Sequence, residues 1–133
     1  MKKVSRGLRN NNPGNIRHNG DHFQGEANGR DKSFKTFISM AHGYRAIFKI
    51  LNTYQSKYSL KSIKQMIERW APRNENDTDA YIAFVSNFVG IDPDHAVDIN
   101  DMSTMSNIVA AISQQENGSP AVMTDVQAGC SLL

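Results

Sequence analysis

Apolar residues are sparse and irregular through residues 5–37 and become periodic from Met40 onward. In the first stretch Leu8, Ile16, Phe23, Phe34 and Phe37 stand among asparagine, glycine and charged residues without a helical repeat. That pattern predicts loops with a short hairpin, one strand near residues 14–18 and another near 33–38. Beyond it, Ala41, Tyr44, Ile47, Phe48, Leu51 and Tyr54 fall on one face of a helix of about four turns. Ser59 or Ser62 can start a second helix, which buries Ile63, Met66, Ile67 and Trp70 and stops before Pro72.

The polar run at residues 73–79 offers several caps for a third helix carrying Tyr81, Phe84, Val85, Phe88 and Val89, with Gly90 placed to end it. A fourth helix is expected from about Asp101, with Met102, Met105, Ile108, Val109 and Ile112 as its apolar stripe. Gly118 and Pro120 write its end. Residues 119–133 read as a short last helix or a loosely packed tail. Met and aromatic residues on these stripes are expected to be core. Four helices with a small N-terminal β-hairpin make a mainly α (α+β) arrangement.

A chain of 133 residues fits a single domain, 1–133, able to bury a core without staples. There are no repeats and no low-complexity segments. The net charge of +2 is too small to imply nucleic acid. Most of it comes from Lys2, Lys3, Arg6 and Arg9, and it suits an anionic polymer without singling one out. The charged start has no apolar stretch behind it, so neither a signal peptide nor a membrane span is expected. A lone cysteine, Cys130, excludes an internal disulfide framework. Its Cys-Ser-Leu-Leu context formally matches a prenylation box but reads better as a tail cysteine. His18, His22, His42 and His95 lack zinc-ligand spacing, and no phosphate loop follows a strand, so neither a metal nor a cofactor is expected.

Carboxylate chemistry remains. The acids in informative positions are Glu26, Glu75, Asp77, Asp79 and Glu116. Glu116 ends an apolar-striped helix, where the partial negative charge of the carbonyl end disfavours an ionised carboxylate. In a cleft such a residue would have a raised pKa and serve as a general acid; on the surface it would be a solvated glutamate. Glu75 precedes the third helix, where Asn76, Asp77 or Thr78 caps and Glu75 is either solvated or a second acid. Glu26 lies in a glycine-rich stretch and could be a loop acid over a cleft. The run Asn10-Asn11-Asn12-Pro13-Gly14-Asn15-Ile16-Arg17 reads as a tight turn whose asparagines bond their own backbone. Its spare amides would also suit the N-acetyl and hydroxyl groups of an amino sugar.

The run from Arg6 to Arg17 resembles the opening of a set of small phage and prophage proteins often labelled virion structural proteins. The resemblance continues through Phe34-x-x-Phe37, Gly43 to Ala46, Trp70-Ala71-Pro72, Glu75 to Ile82 and Glu116-Asn117-Gly118. A second resemblance, to flagellar-type glucosaminidases and lytic transglycosylases, implies a lysozyme-like helical domain. In those enzymes a helix ends in a catalytic Glu within a Glu-Ser-Gly-like motif. An Asn-rich loop, a Phe-x-x-Phe-like strand, a helix and a cleft tyrosine follow. Here the same parts stand in rotated order, with the Glu-bearing helix, Ile108 to Gly118, at the back of the chain, and Asn117 replaces the serine. Such a circular permutation is open to chains whose termini lie close together.

The resemblance implies cleavage of the peptidoglycan glycan backbone, of the muramidase or lytic transglycosylase type, with Glu116 as the general acid; Glu75 is the candidate for a second catalytic carboxylate, which would favour hydrolysis. The resemblance also implies Asn11, Asn12, Asn15, Arg17, Tyr81 and Asn117 as substrate-binding residues. Bacterial peptidoglycan is then the partner, with other virion proteins alongside, and a monomer is expected. The protein would be made in the bacterial cytoplasm and would act in the virion or the host envelope. A peptidoglycan endopeptidase and a non-catalytic virion or wall-binding module stay open as alternatives.

Overall fold

A computed structural model describes residues 4–133; Lys2 and Lys3 of the N-terminal basic cluster lie outside the described residues. The described chain is mainly helical with a small two-stranded antiparallel sheet. A one-turn helix, α1 (Arg6–Arg9), begins at Ser5, whose Oγ accepts from the Leu8 N–H. The sequence pattern missed it, since four residues are too few to show a period.

The strands are β1 (Glu26–Ala27) and β2 (Thr36–Phe37), with Glu26 opposite Phe37 and Ala27 opposite Thr36. The expected second strand is therefore present, but its main partner differs from the expected one. Residues 14–18 contribute only the bridge Arg17–Phe34, extended by the backbone bonds Lys35 N to Ile16 O and His18 N to Ser33 O. Lys35 decides the arrangement. Its side chain is 1 % exposed, and its ammonium donates to Glu26 Oε1 at 2.8 Å and to the Asp21 carbonyl at 2.9 Å. A buried cation needs such partners, and they draw residues 21–27 onto β2.

The helices match the period, except that Phe88 and Met102, expected in the core, are exposed. Helix α2 (Met40–Tyr58) starts at Ser39, and α3 (Ile63–Trp70) starts with a capping box between Ser62 and Gln65. Asp77 caps α4 (Thr78–Val89), and Asp101 caps α5 (Met102–Asn117). Gly118 ends α5 at φ 70°, a left-handed value that glycine takes without strain.

Of the two readings of the C-terminal stretch, the short last helix is the one present, α6 (Met123–Ser131), and the loosely packed tail is not. Helix α6 packs along α2, where a Cβ on Gly129 would sit 2.7 Å from Tyr44 Cβ and 2.8 Å from the Ala41 carbonyl. Val126 is fully buried, and Cys130 is half-buried against the same core. The centre of the bundle is Leu51, Ile63, Ile67, Ile108 and Ile112, all shielded from water. No helix among the described residues is long and apolar enough to cross a membrane.

The Asn-rich loop seats on the start of α2. A Cβ on Gly43 would collide with the Asn11 carbonyl, so only glycine permits this approach. The end of α5 meets the same loop from the other side. There Asn117 Nδ2 donates to the Pro13 carbonyl at 2.8 Å, and Ser5 Oγ donates to Asn117 Oδ1 at 2.7 Å.

Candidate functional site

At this seam Glu116 is held from two directions. Asn15 Nδ2 donates to Oε1 at 3.0 Å, and the Tyr81 hydroxyl donates to Oε2 at 2.8 Å. Behind Tyr81, the Trp70 indole N–H donates to the tyrosine oxygen at 3.1 Å. Burial first, and then the Glu116 carboxylate, push the Tyr81 phenol well above its ordinary pKa, so it stays a donor. Each Glu116 oxygen takes one donor and keeps a second lone-pair direction for a proton or a ligand. Among the described residues Glu116 makes no ion pair.

Glu116 lines a cleft of about 360 Å³ together with Asn15, Arg17, Phe34, Tyr54, Trp70 and Glu75. Asn15 reaches it because its backbone is left-handed, φ 50°, a conformation asparagine tolerates better than most residues. Its Oδ1 is buried without a partner, so the amide is held from its nitrogen side alone. Arg17 lies with its guanidinium 5.0 Å from the Phe34 ring centroid, and Arg6 stacks on the same ring at 4.5 Å.

The remaining candidates divide sharply. Asn12 is fully buried: its Nδ2 donates to the Ile16 and Lys35 carbonyls, and its Oδ1 accepts from the Ile16 N–H. Asn11 spends its amide on the Phe37 carbonyl, and Asn117 ties α5 to Ser5 and Pro13. Asn12 and Asn117 have no free amide for a sugar, and none of the three lines the cleft. Tyr81 is 3 % exposed and sits behind Glu116, so it positions the carboxylate and does not line the cleft.

Glu26 is the counter-ion of Lys35, not an acid over the cleft. Burial works to raise its pKa, but the Lys35 ammonium and the Phe23 N–H outweigh it and hold Glu26 below the usual range. Asp77 caps α4, and Asp79 pairs with Arg73 at 2.8 Å. Glu75 remains, exposed on a turn closed by its own N–H to the Pro72 carbonyl and facing the cleft shared with Glu116.

The apolar pattern misassigned Phe88 and Met102, which are exposed, and it saw only the core-packed side of Trp70. Trp70 is half-buried, lines the cleft and supplies the end of the hydrogen-bond chain to Glu116. Its place in the run Trp70-Ala71-Pro72, next to the turn carrying Glu75, was the available signal.

No protein-family model matches the chain. Over 134 aligned residues it is 41 % identical to protein P5 of Pseudoalteromonas phage PM2, which covers 97 % of this chain and 82 % of that protein. The chain belongs to the family of phage PM2 protein P5. The resemblance to phage proteins seen in the sequence holds at that level. The match runs over almost the whole chain, so the Asn loop, the cleft and α5 all fall within the shared length of the P5 family.

Proposed function

We propose that this P5-family chain cleaves the glycan backbone of bacterial peptidoglycan, with Glu116 as the general acid. The observation that carries this reading is the fixed carboxylate. Glu116 stands at the end of α5 on a cleft wall, and a donor on a separate element holds each of its oxygens. A group that must deliver a proton to one bridging oxygen needs such a fixed direction.

The rotated lysozyme-like order gains support from the same seam. In the unpermuted enzymes the Asn loop follows the Glu-bearing helix directly. Here the end of α5 touches Ser5 and Pro13 through Asn117, so the two parts are neighbours in space although they stand at opposite ends of the chain. Linking them would restore the familiar order with little movement.

The bond cut is the β-1,4 link between N-acetylmuramic acid and N-acetylglucosamine. Glu116 donates its proton to the leaving oxygen as the C1–O bond breaks. The resulting carboxylate then takes a proton from the muramyl 6-hydroxyl, which closes an anhydro ring, or from a water that attacks C1. Glu75, on the same cleft, is the second carboxylate that the water route employs. Asn15, Arg17 and Trp70 bound the sugar site. The protein acts in the virion or at the host envelope, as a monomer.

Mass spectrometry of soluble products from purified peptidoglycan tests this with wild type and Glu116→Gln. Anhydromuramyl or reducing ends from wild type, reduced about 10³-fold in the variant as expected for loss of a general acid, support the reading. Anhydro ends name a lyase, and reducing ends name a hydrolase that also depends on Glu75. Release of stem peptides would replace the reading with an endopeptidase. Wall binding without products would leave a non-catalytic module.

A further inference from the structure

Beside the Glu116 cleft lies a larger recess of about 640 Å³, and Asn19, Ile50 and Tyr54 line both. One of its walls is α2, which presents Arg45, Lys49, Thr53 and Lys57. Spacing by fours sets these side chains in one row along the helix. At helical rise the row from Arg45 to Lys57 runs about 18 Å. Arg69 of α3 adds a further cation, its guanidinium 4.0 Å from the Tyr58 ring centroid. Against these stands the acid Asp21. Among the described residues none of Arg45, Lys49, Lys57 or Arg69 makes an ion pair.

A row of unpaired cations interleaved with Ile50, Tyr54 and Tyr58 is an amphipathic track for an extended chain that carries anions at intervals. A length of about 18 Å accommodates about five extended residues. We propose that this recess binds the carboxylate-bearing peptide stem of the peptidoglycan strand whose glycan lies at Glu116. The proposal rests on the glycan-cleaving reading and adds the peptide to what the site recognises. Its cations along α2, Arg45, Lys49 and Lys57, stand at least about 6 Å apart at helical rise, too widely spaced to favour a uniform polyphosphate.

The test is binding, so that it stands apart from turnover. Labelled soluble glycan fragments with intact stems, and the same fragments stripped by an amidase, are titrated against Glu116→Gln by fluorescence anisotropy. Stems should tighten binding about tenfold, the sum of a few solvent-facing charge contacts, and the margin should shrink with salt. Adding Lys49→Gln, Lys57→Gln and Arg69→Gln should erase the margin and leave binding of stripped glycan unchanged, with an unaltered thermal melt. Equal affinity for both fragments overturns the proposal. Inorganic polyphosphate bound as tightly as stem-bearing glycan overturns it in favour of a general anion site. Absence of glycan products from wild type would defeat the catalytic reading separately, whatever the stem margin proves to be.

Discussion

Residues 5–37 reach their positions through directional polar bonds, whereas the helices from Met40 to Ser131 pack through apolar burial. In the first region Asn12 alone holds three buried backbone groups, and Asp31 gathers Arg6, Asn10 and the Ser33 and Phe34 N–H groups. In the second, Leu51, Ile63, Ile67, Ile108 and Ile112 have no access to water. Burial is strong but non-directional, while a hydrogen bond fixes distance and angle at modest net energy. The cleft lies where the two regions meet. The bundle supplies Glu116 and Tyr81, and the loop supplies the Asn15 amide that orients the carboxylate. A site that needs both stability and exact aim draws one from each region.

Two substitutions of similar cost would break this comparison if it is wrong. Asn12→Ala strands buried groups at Ile16 and Lys35 and should cost about 3 kcal/mol. Leu51→Ala leaves a cavity in the bundle and should cost about 3 kcal/mol as well. Urea titrations would measure both. In cool buffer, where both variants remain folded, glycan cleavage should fall at least about tenfold for Asn12→Ala and little for Leu51→Ala, because a displaced loop misplaces Asn15. Equal activity losses would show that the loop holds no privileged position.

A smaller effect probes the junction itself. Tyr81→Phe removes a donor from Glu116 and leaves the Trp70 N–H without its acceptor. Turnover should drop about tenfold, equivalent to about 1.4 kcal/mol. KM should stay unchanged, since Tyr81 lies behind the carboxylate and not on the cleft wall. A rise in KM with intact kcat would make Tyr81 a substrate contact instead.

The contrast also explains what could be read from the residues. Helix ends are spelled locally, as Ser62 with Gln65 or Gly118 before Pro120, and they fell where the period put them. Helix α6 was legible only as one of two alternatives, because Val122 offers no side-chain cap and its burial depends on Gly129 fitting against α2. The strand pairing was illegible because Lys35 chooses its partners through space. Asn11, Asn12 and Asn15 are one residue type in one run, yet Asn12 is sealed inside and Asn15 faces Glu116. Asn11 and Asn15 share a left-handed φ that Asn12 lacks, and their places in the turn separate those two; composition records neither. Trp70 was hidden by the rule that aromatics on an amphipathic stripe belong to the core. Glu116 stood out as a candidate because an acid at a helix C-terminus runs against what helix stability requires, and it shares its cleft with Glu75.

The smallest predicted effect is a response to acid that should be confined to the polar region. The hydrogen-bonded Arg6 guanidinium, then the Phe34 and Ser33 N–H groups, hold Asp31 far below the usual carboxylate range, while partial desolvation opposes them. Glu26 is also depressed, its burial outweighed by Lys35 and Phe23. For a depressed carboxylate, the stabilisation is fully present above the unfolded pKa and is lost as pH falls through that value toward the folded one. The melting temperature should therefore be flat near neutrality and decline below about pH 5. Asp31→Asn should lower the neutral-pH melt slightly and flatten the decline. Hydrogen exchange at about pH 4 should show residues 16–37 loosening while α5 keeps its protection. If α5 lost protection first, the two regions would be one cooperative unit, and the division between polar aim and apolar strength would not hold.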